Sequence, residues 1–231
     1  MVEIHIFIEG IATNDSADVN TVDRSAEFRR AFHKLLSQSI ENELIALSIE
    51  PATGWKAAAK TYIRHKQKTG KNYCLLIDLD GRIDTKSNKL NEKLGEMTET
   101  LAHFPNDVFF MIQEMEAWIL SQPNVIDSYA ENKGFRRKLD RIVGEHHFLR
   151  VSPIEIVKPS EKIKTIFREY FEEKIERKNK IKIKAADYHK TKVAPELIEM
   201  LDFQQLTETF EDAKSLQNLI RGFEMNLKKK S

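Results

Sequence analysis

Between Asn72 and Asp78 the chain reads Tyr73-Cys74-Leu75-Leu76-Ile77, with no polar residue among them. A strand with one wet face alternates apolar and polar side chains, so an unbroken run of this kind is buried on both faces. It is far shorter than the ~18 consecutive apolar residues of a membrane span, and no other stretch reaches that length. Such a strand needs a strand on either side and cover above and below. Tyr73–Ile77 is therefore expected to be the central strand of a parallel sheet.

The flanking sequence has the periodicity that such a sheet requires. Val2, Ile4, Ile6 and Ile8 alternate with Glu3, His5 and Phe7 and stop at Glu9-Gly10, a period-two strand running into a loop. Phe28, Ala31, Phe32, Leu35, Leu36 and Ile40 fall at helical spacing over 23–41, and Leu44–Ile49 reads as a second strand. Trp55, Ala59, Tyr62 and Ile63 mark a helix that stops at Gly70. Leu90, Leu94, Met97 and Leu101 mark another, before a fourth strand at Val108–Ile112. Four strands alternate with three helices, which predicts an α/β fold: a Rossmann-like, mostly parallel sheet of four or more strands flanked by helices, over residues 1–122.

After Pro123 the alternation ends, and residues 123–231 read as a mainly helical C-terminal region. Ile163, Ile166, Phe167, Tyr170 and Phe171 form one apolar stripe behind Ser160 as a helix cap. Leu216, Leu219, Ile220, Phe223 and Leu227 form the last. Only 8 Gly and 6 Pro occur in 231 residues, which fits a helix-rich chain and excludes collagenous or long disordered structure.

Ligands of open parallel sheets bind beyond the carboxyl ends of the strands. Here those ends are acidic: Glu9-Gly10 after the first, Asp78-Leu79-Asp80-Gly81 after the third, Gln113-Glu114-Met115-Glu116 after the fourth. Carboxylates gathered at one rim repel one another unless cations neutralise them. Hard, oxygen-preferring Mg²⁺ or Mn²⁺ suits such a rim, and a chain turning at Gly81 would let Asp78 and Asp80 reach one ion. Taken singly, each of these residues is also what an ordinary exposed strand end carries. With one cysteine, Cys74, a thiolate zinc site and an internal disulfide are both excluded.

The Glu-Gly after the first strand and the Asp-x-Asp-Gly after the third resemble the Toprim motif of topoisomerases, primases and nucleases of the old-phage-exclusion type. Phe7-Ile8-Glu9-Gly10 with Thr13-Asn14, Leu76-Ile77-Asp78, Met115-Glu116-Ala117-Trp118, Tyr188-His189-Lys190 and Leu197-Ile198-Glu199 with Asp202 resemble, within that superfamily, the bacterial domain-of-unknown-function family 4276. The resemblance implies a Toprim-type sheet and Mg²⁺-dependent phosphodiester chemistry. Glu9 would be the general acid/base, Asp78 and Asp80 would hold metal, and Glu116 would be a further metal-side carboxylate, with a second ion allowed. It also implies a P-loop ATPase partner in a phage-defence setting. Two departures stand out: Ile11-Ala12 replaces a glycine-rich turn, and Lys192-Val193-Ala194-Pro195 replaces a His-Gly pair.

The other features are weaker. His189 and Lys190 could place positive charge on developing oxyanions of a phosphoryl group, or belong to a solvated loop. Lysine plus arginine number 37 against 36 acids, yet Lys174–Lys192 holds eight basic residues against Glu176 and Asp187. That segment would track a nucleic-acid backbone or form an exposed charged helix end. Trp118 is expected to pack beneath the site, and His146-His147 lacks the spacing of a zinc site. No Gly-x-Ser-x-Gly and no Gly-x₄-Gly-Lys-Ser/Thr occurs, so nucleotide hydrolysis would come from a partner. The N-terminus has no basic signal region, which with the missing span predicts a cytoplasmic protein.

The sequence thus predicts a divalent-metal-dependent nuclease acting on DNA or RNA, with an ATPase partner. The alternative is a non-catalytic module that keeps the sheet as a scaffold for binding that ATPase. A receiver-like signalling domain shares the acidic rim but lacks a placeable lysine after the last core strand.

Overall fold

The buried run becomes strand β3 (Tyr73–Asp78), and every one of its residues is buried. The computed structural model describes residues 2–10, 19–69, 72–88, 97, 105–177 and 180–228. Strand β1 (Val2–Glu9), helix α1 (Val19–Ser37), strand β2 (Ile45–Ala52), helix α2 (Trp55–Thr69) and strand β4 (Val108–Met111) complete the α/β portion. The sheet order is β2-β1-β3-β4 and all three pairings are parallel. The expected Rossmann-like α/β architecture is present. The helix expected to carry Leu90, Leu94 and Leu101 lies outside the described residues, apart from a half-buried Met97 packed on the core.

One detail of β1 differs from the period-two reading, which put Phe7 on the polar side. As an interior strand β1 is covered on both faces, and Phe7 is buried against Tyr62 and His65 of α2 and Tyr73 of β3. Right-handed crossovers put α1 and α2 on opposite sheet faces. On the other face Phe32 of α1 packs against Phe28 and Trp118. Pro51 falls on β2, an edge strand, where its missing N–H costs no internal ladder bond.

Helix α3 (Met115–Ser121) follows β4 at once, then α4 (Asn124–Asn132), a two-residue strand β5 (Arg136–Arg137) and α5 (Pro159–Tyr170). Ser160 is not the cap of α5. The helix starts one residue earlier at Pro159, whose fixed φ and missing N–H suit a first turn, after Lys158 in the left-handed region. The mainly helical reading of the C-terminal region also needs correction over 171–185. There α5 passes directly into strand β6 (Phe171–Arg177), which pairs with β7 (Lys180–Ala185) in a three-stranded antiparallel sheet of order β5-β6-β7. The cause is local: Lys180-Ile181-Lys182-Ile183-Lys184 has a period of two, with β-branched isoleucines at every second position.

Helices α6 (Ala194–Ile198), α7 (Phe203–Thr209) and α8 (Glu211–Lys228) return to the first sheet. Trp118 is fully buried between Phe32 and Phe210, the packing role expected of it. Polar ties reinforce the seam: Glu224 accepts the backbone N–H groups of Glu41 and Asn42, and Lys86 donates to Asp212 at 2.9 Å. One hydrophobic cluster runs from Ile4 to Ile220. No helix among the described residues is long and apolar enough to cross a membrane.

Candidate active site

Strands β1, β3 and β4 end at the same sheet edge, and their terminal residues hold one another. Glu9 Oε2 accepts the backbone N–H of Asp78 at 3.0 Å, so the two strand ends are tied through a carboxylate. Asp78 Oδ1 accepts the backbone N–H of Met115 at 2.8 Å, tying β3 to the start of α3. Gly10 explains the residue type after Glu9: a Cβ there would lie 3.0 Å from both the carbonyl oxygen of Ala52 and the Cβ of Pro51. Only glycine lets β1 leave the sheet that close to β2.

The turn after β3 forms differently from the expectation. Gly81 does not make it; Asp80 itself is left-handed, with φ 52°, and Gln113 after β4 is left-handed as well, with φ 64°. The two are stitched together, Asp80 N–H donating to Gln113 O and Gln113 N–H to Gly81 O. A non-glycine residue in this region costs about 1–2 kcal/mol, less for Asp, and such strain gathers at functional sites. Asp80 is exposed at the rim while Asp78 is only 5% exposed.

Glu116, on the first turn of α3, is fully buried. Its Oε1 accepts the Tyr188 hydroxyl at 3.0 Å, and its Oε2 stands 3.4 Å from Lys190 Nζ. The same ammonium is 3.5 Å from Asp78 Oδ2. Glu114, just before α3, accepts the backbone N–H of Ser160 at 3.1 Å. Glu9, Asp78, Asp80, Glu114, Lys164, Tyr188, His189 and Lys190 line a cleft of about 460 Å³, with Glu116 behind its wall. His189 is an exposed member, its Nε2 3.7 Å from Asp187.

Electrostatics follow from burial and crowding. Burial pushes the Asp78 carboxyl well above the usual carboxylate range; Lys190 opposes this, and Glu9 and Glu116 add to it. For Lys190 burial pulls downward, but Asp78, Glu116 and Glu114 outweigh it and raise the ammonium's pKa, so it stays charged. Burial, then Glu116, lifts the Tyr188 phenol well above its ordinary value, which keeps it a hydrogen-bond donor.

The structure therefore brings Glu9, Asp78, Asp80, Glu116, His189 and Lys190 to one place. Two contributors carry a fainter sequence signal. Glu114 repeats two residues before Glu116 the acid-x-acid spacing of Asp78 and Asp80, and Tyr188 adjoins His189 and Lys190. The donors are oxygens, the set preferred by Mg²⁺ and Mn²⁺, and the five carboxylates outnumber the ammonium groups of Lys164 and Lys190. Among the described residues no three His, Cys, Asp or Glu side chains stand close enough together to hold an ion as placed. Lys190 is the counterion to Asp78 and Glu116 instead.

This is an α/β protein with an acidic cleft at the carboxyl edge of a parallel sheet, closed on one side by a C-terminal Tyr-His-Lys loop. The family model described as Domain of unknown function (DUF4276) matches residues 22–221, and the chain belongs to that family. The match takes in Asp78, Asp80, Glu114, Glu116 and Tyr188–Lys190; Glu9 precedes it. No curated protein and no solved structure matches the chain.

Proposed function

We propose that this protein is a Toprim-like nuclease, dependent on Mg²⁺ or Mn²⁺, that hydrolyses phosphodiester bonds of DNA or RNA. The observation that supports it best is the meeting of Glu9, Asp78, Asp80, Glu114 and Glu116 with Lys190 at one sheet edge. With Lys190 displaced from Asp78 and Glu116, Asp78, Asp80 and Glu116 would close up to hold the metal, with Glu9 beside them. The bound ion would polarise a non-bridging phosphate oxygen and lower the pKa of a water. Glu9, fixed by its bond to the Asp78 N–H, would move the proton. Lys190 would offer positive charge, and His189 a ring N–H, to the developing oxyanions. The resemblance to proteins of anti-phage defence modules supports a P-loop ATPase partner.

One observation favours a second reading. Lys190 already neutralises Asp78 and Glu116, which suits a non-catalytic scaffold that binds the ATPase. Plasmid DNA and structured RNA incubated with protein and Mn²⁺ separate the two. Cleavage by wild type that disappears in Asp78→Ala and Asp80→Ala supports the nuclease. Calorimetry without Mn²⁺ binding, or cleavage unchanged in both variants, overturns it.

A further inference from the structure

The β6–β7 ribbon lies outside the cleft, and the reading above gives it no task. Strand β5 pairs only with Phe171 and Glu172, so from Glu173 outward the ribbon is two-stranded with both edges open among the described residues. At ~3.3 Å per residue its five further pairs extend about 17 Å past the pairing with β5. Residues 181–185 are all exposed, including Ile181 at 64% and Ile183 at 48%. Between Lys174 and Lys184 the sequence has six basic residues and one acid, Glu176. The two acids at the base are matched already, Glu172 by Arg136 and Glu173 by Lys184. From Ala185 the chain runs through Ala186 and Asp187 straight into Tyr188, His189 and Lys190 of the cleft.

We propose that the β6–β7 ribbon is a DNA-binding arm that seats in the major groove of a B-form duplex and leads its backbone to the cleft. This rests on the reading of the protein as one that acts on nucleic acid, and it narrows the partner to double-stranded DNA. The B-DNA major groove is about 12 Å wide and admits a two-stranded ribbon, whereas that of A-form RNA is too narrow and deep. Residues 172–185 contain no Phe, Tyr or Trp, so the arm has no platform for stacking single-stranded bases. Its lysines neutralise phosphates without regard to sequence. The register puts Ile181 and Ile183 on one face with Lys174 and Glu176, and Lys182 and Lys184 on the other with Ile175. The exposed isoleucine face suits the thymine methyl groups of that groove, and the lysine face suits the phosphates beside it.

The test is fluorescence anisotropy of the full chain with a labelled duplex of about 30 base pairs in EDTA, from about 50 to 200 mM salt. The triple variant Lys174→Gln, Lys180→Gln, Lys182→Gln is expected to bind about tenfold or more weakly, with a log–log salt slope smaller by about 0.9 per lysine. The matching triple Lys→Arg variant, which keeps the charge, should bind as wild type, and thermal unfolding of all three proteins should agree. Duplex binding unchanged by the Gln variant, or a single strand bound more tightly than the duplex, overturns the arm. The nuclease reading is scored separately by cleavage with Mn²⁺. Arm-dependent binding without cleavage sinks the nuclease alone, and cleavage with arm-independent binding sinks the arm alone.

Discussion

The Lys190 ammonium stands 3.4 Å from Glu116 Oε2, a carboxylate with no exposed surface, and so it holds the place where a second cation would have to enter. Lys190 itself is 42% exposed, so its side chain has solvent to swing into if a divalent ion binds. If it competes for that place, Lys190→Met binds Mn²⁺ about tenfold more tightly, the equivalent of ~1.4 kcal/mol. Lys190→Arg keeps the charge and stays near wild type. Calorimetry or Mn²⁺ electron paramagnetic resonance measures both, and a Met variant with wild-type affinity would show that the ammonium is no competitor. Without metal, the Met variant should lose about 1–2 kcal/mol of stability, a value moderated by solvent screening at the partly exposed lysine.

His146 sets a pH dependence away from the cleft. Its ring is fully buried, accepts the Phe148 backbone N–H at Nδ1 and faces Glu169 through Nε2 at 3.1 Å, which fixes a neutral ring with the proton on Nε2. Burial lowers its pKa; Glu169 pulls the other way, and His147, stacked on it, and Arg141 add to the lowering. The unfolded chain then binds the proton more readily than the native one. The stabilisation is complete above a pH of about 6.5 and is lost as pH falls toward the depressed native value. The difference in melting temperature between wild type and His146→Asn should therefore shrink from pH 7.5 to 5.5, using about those values as brackets of the unfolded pKa. A difference independent of pH would refute the assignment.

Cys74 should be inert in the native state. It lies within β3, 1% exposed, and burial, helped by Asp107, pushes its thiol up to about 12. At pH ~8 roughly one thiol in ten thousand would then be thiolate, against about a quarter for a free cysteine. Labelling by a disulfide reagent should be absent in buffer and should rise together with unfolding in a urea series. Rapid labelling of folded protein would mean that β3 opens locally.

The parts of this molecule legible in the sequence are those fixed by short-range pattern. Tyr73–Ile77 declares an interior strand because no amphipathic arrangement can use it, and Asp78 and Asp80 follow because the strand stops there. Phe7 has no such local signal, since its burial depends on α2 arriving from some fifty residues away. The β6–β7 ribbon does have a local signature, the lysine–isoleucine alternation of 180–184, but it is masked by the preceding helix, because nothing between Tyr170 and Phe171 interrupts the helical stripe. Glu116 is legible as a strand-end acid, but its buried charge is explained only by Tyr188 and Lys190, more than seventy positions along the chain. That pairing is a product of tertiary folding and has no local signature.

Two glycines give opposite expectations for the same substitution. Gly10→Ala puts a methyl 3.0 Å from the Ala52 carbonyl oxygen and the Pro51 Cβ, so the end of β1 must move away from β2. Overpacking of this kind costs about 1–3 kcal/mol. The movement also shifts Glu9, whose carboxylate is bonded to the Asp78 N–H, so if the protein is the proposed nuclease, cleavage should fall further than stability alone would explain. Gly222 lies inside α8 with nothing within 4 Å of an added Cβ, and alanine there should stabilise by about 0.5–1 kcal/mol through helix propensity. Urea unfolding of both variants, with cleavage assayed at matched folded fraction, checks the pair. Equal activity per folded molecule in Gly10→Ala and wild type would detach Glu9 from the reaction.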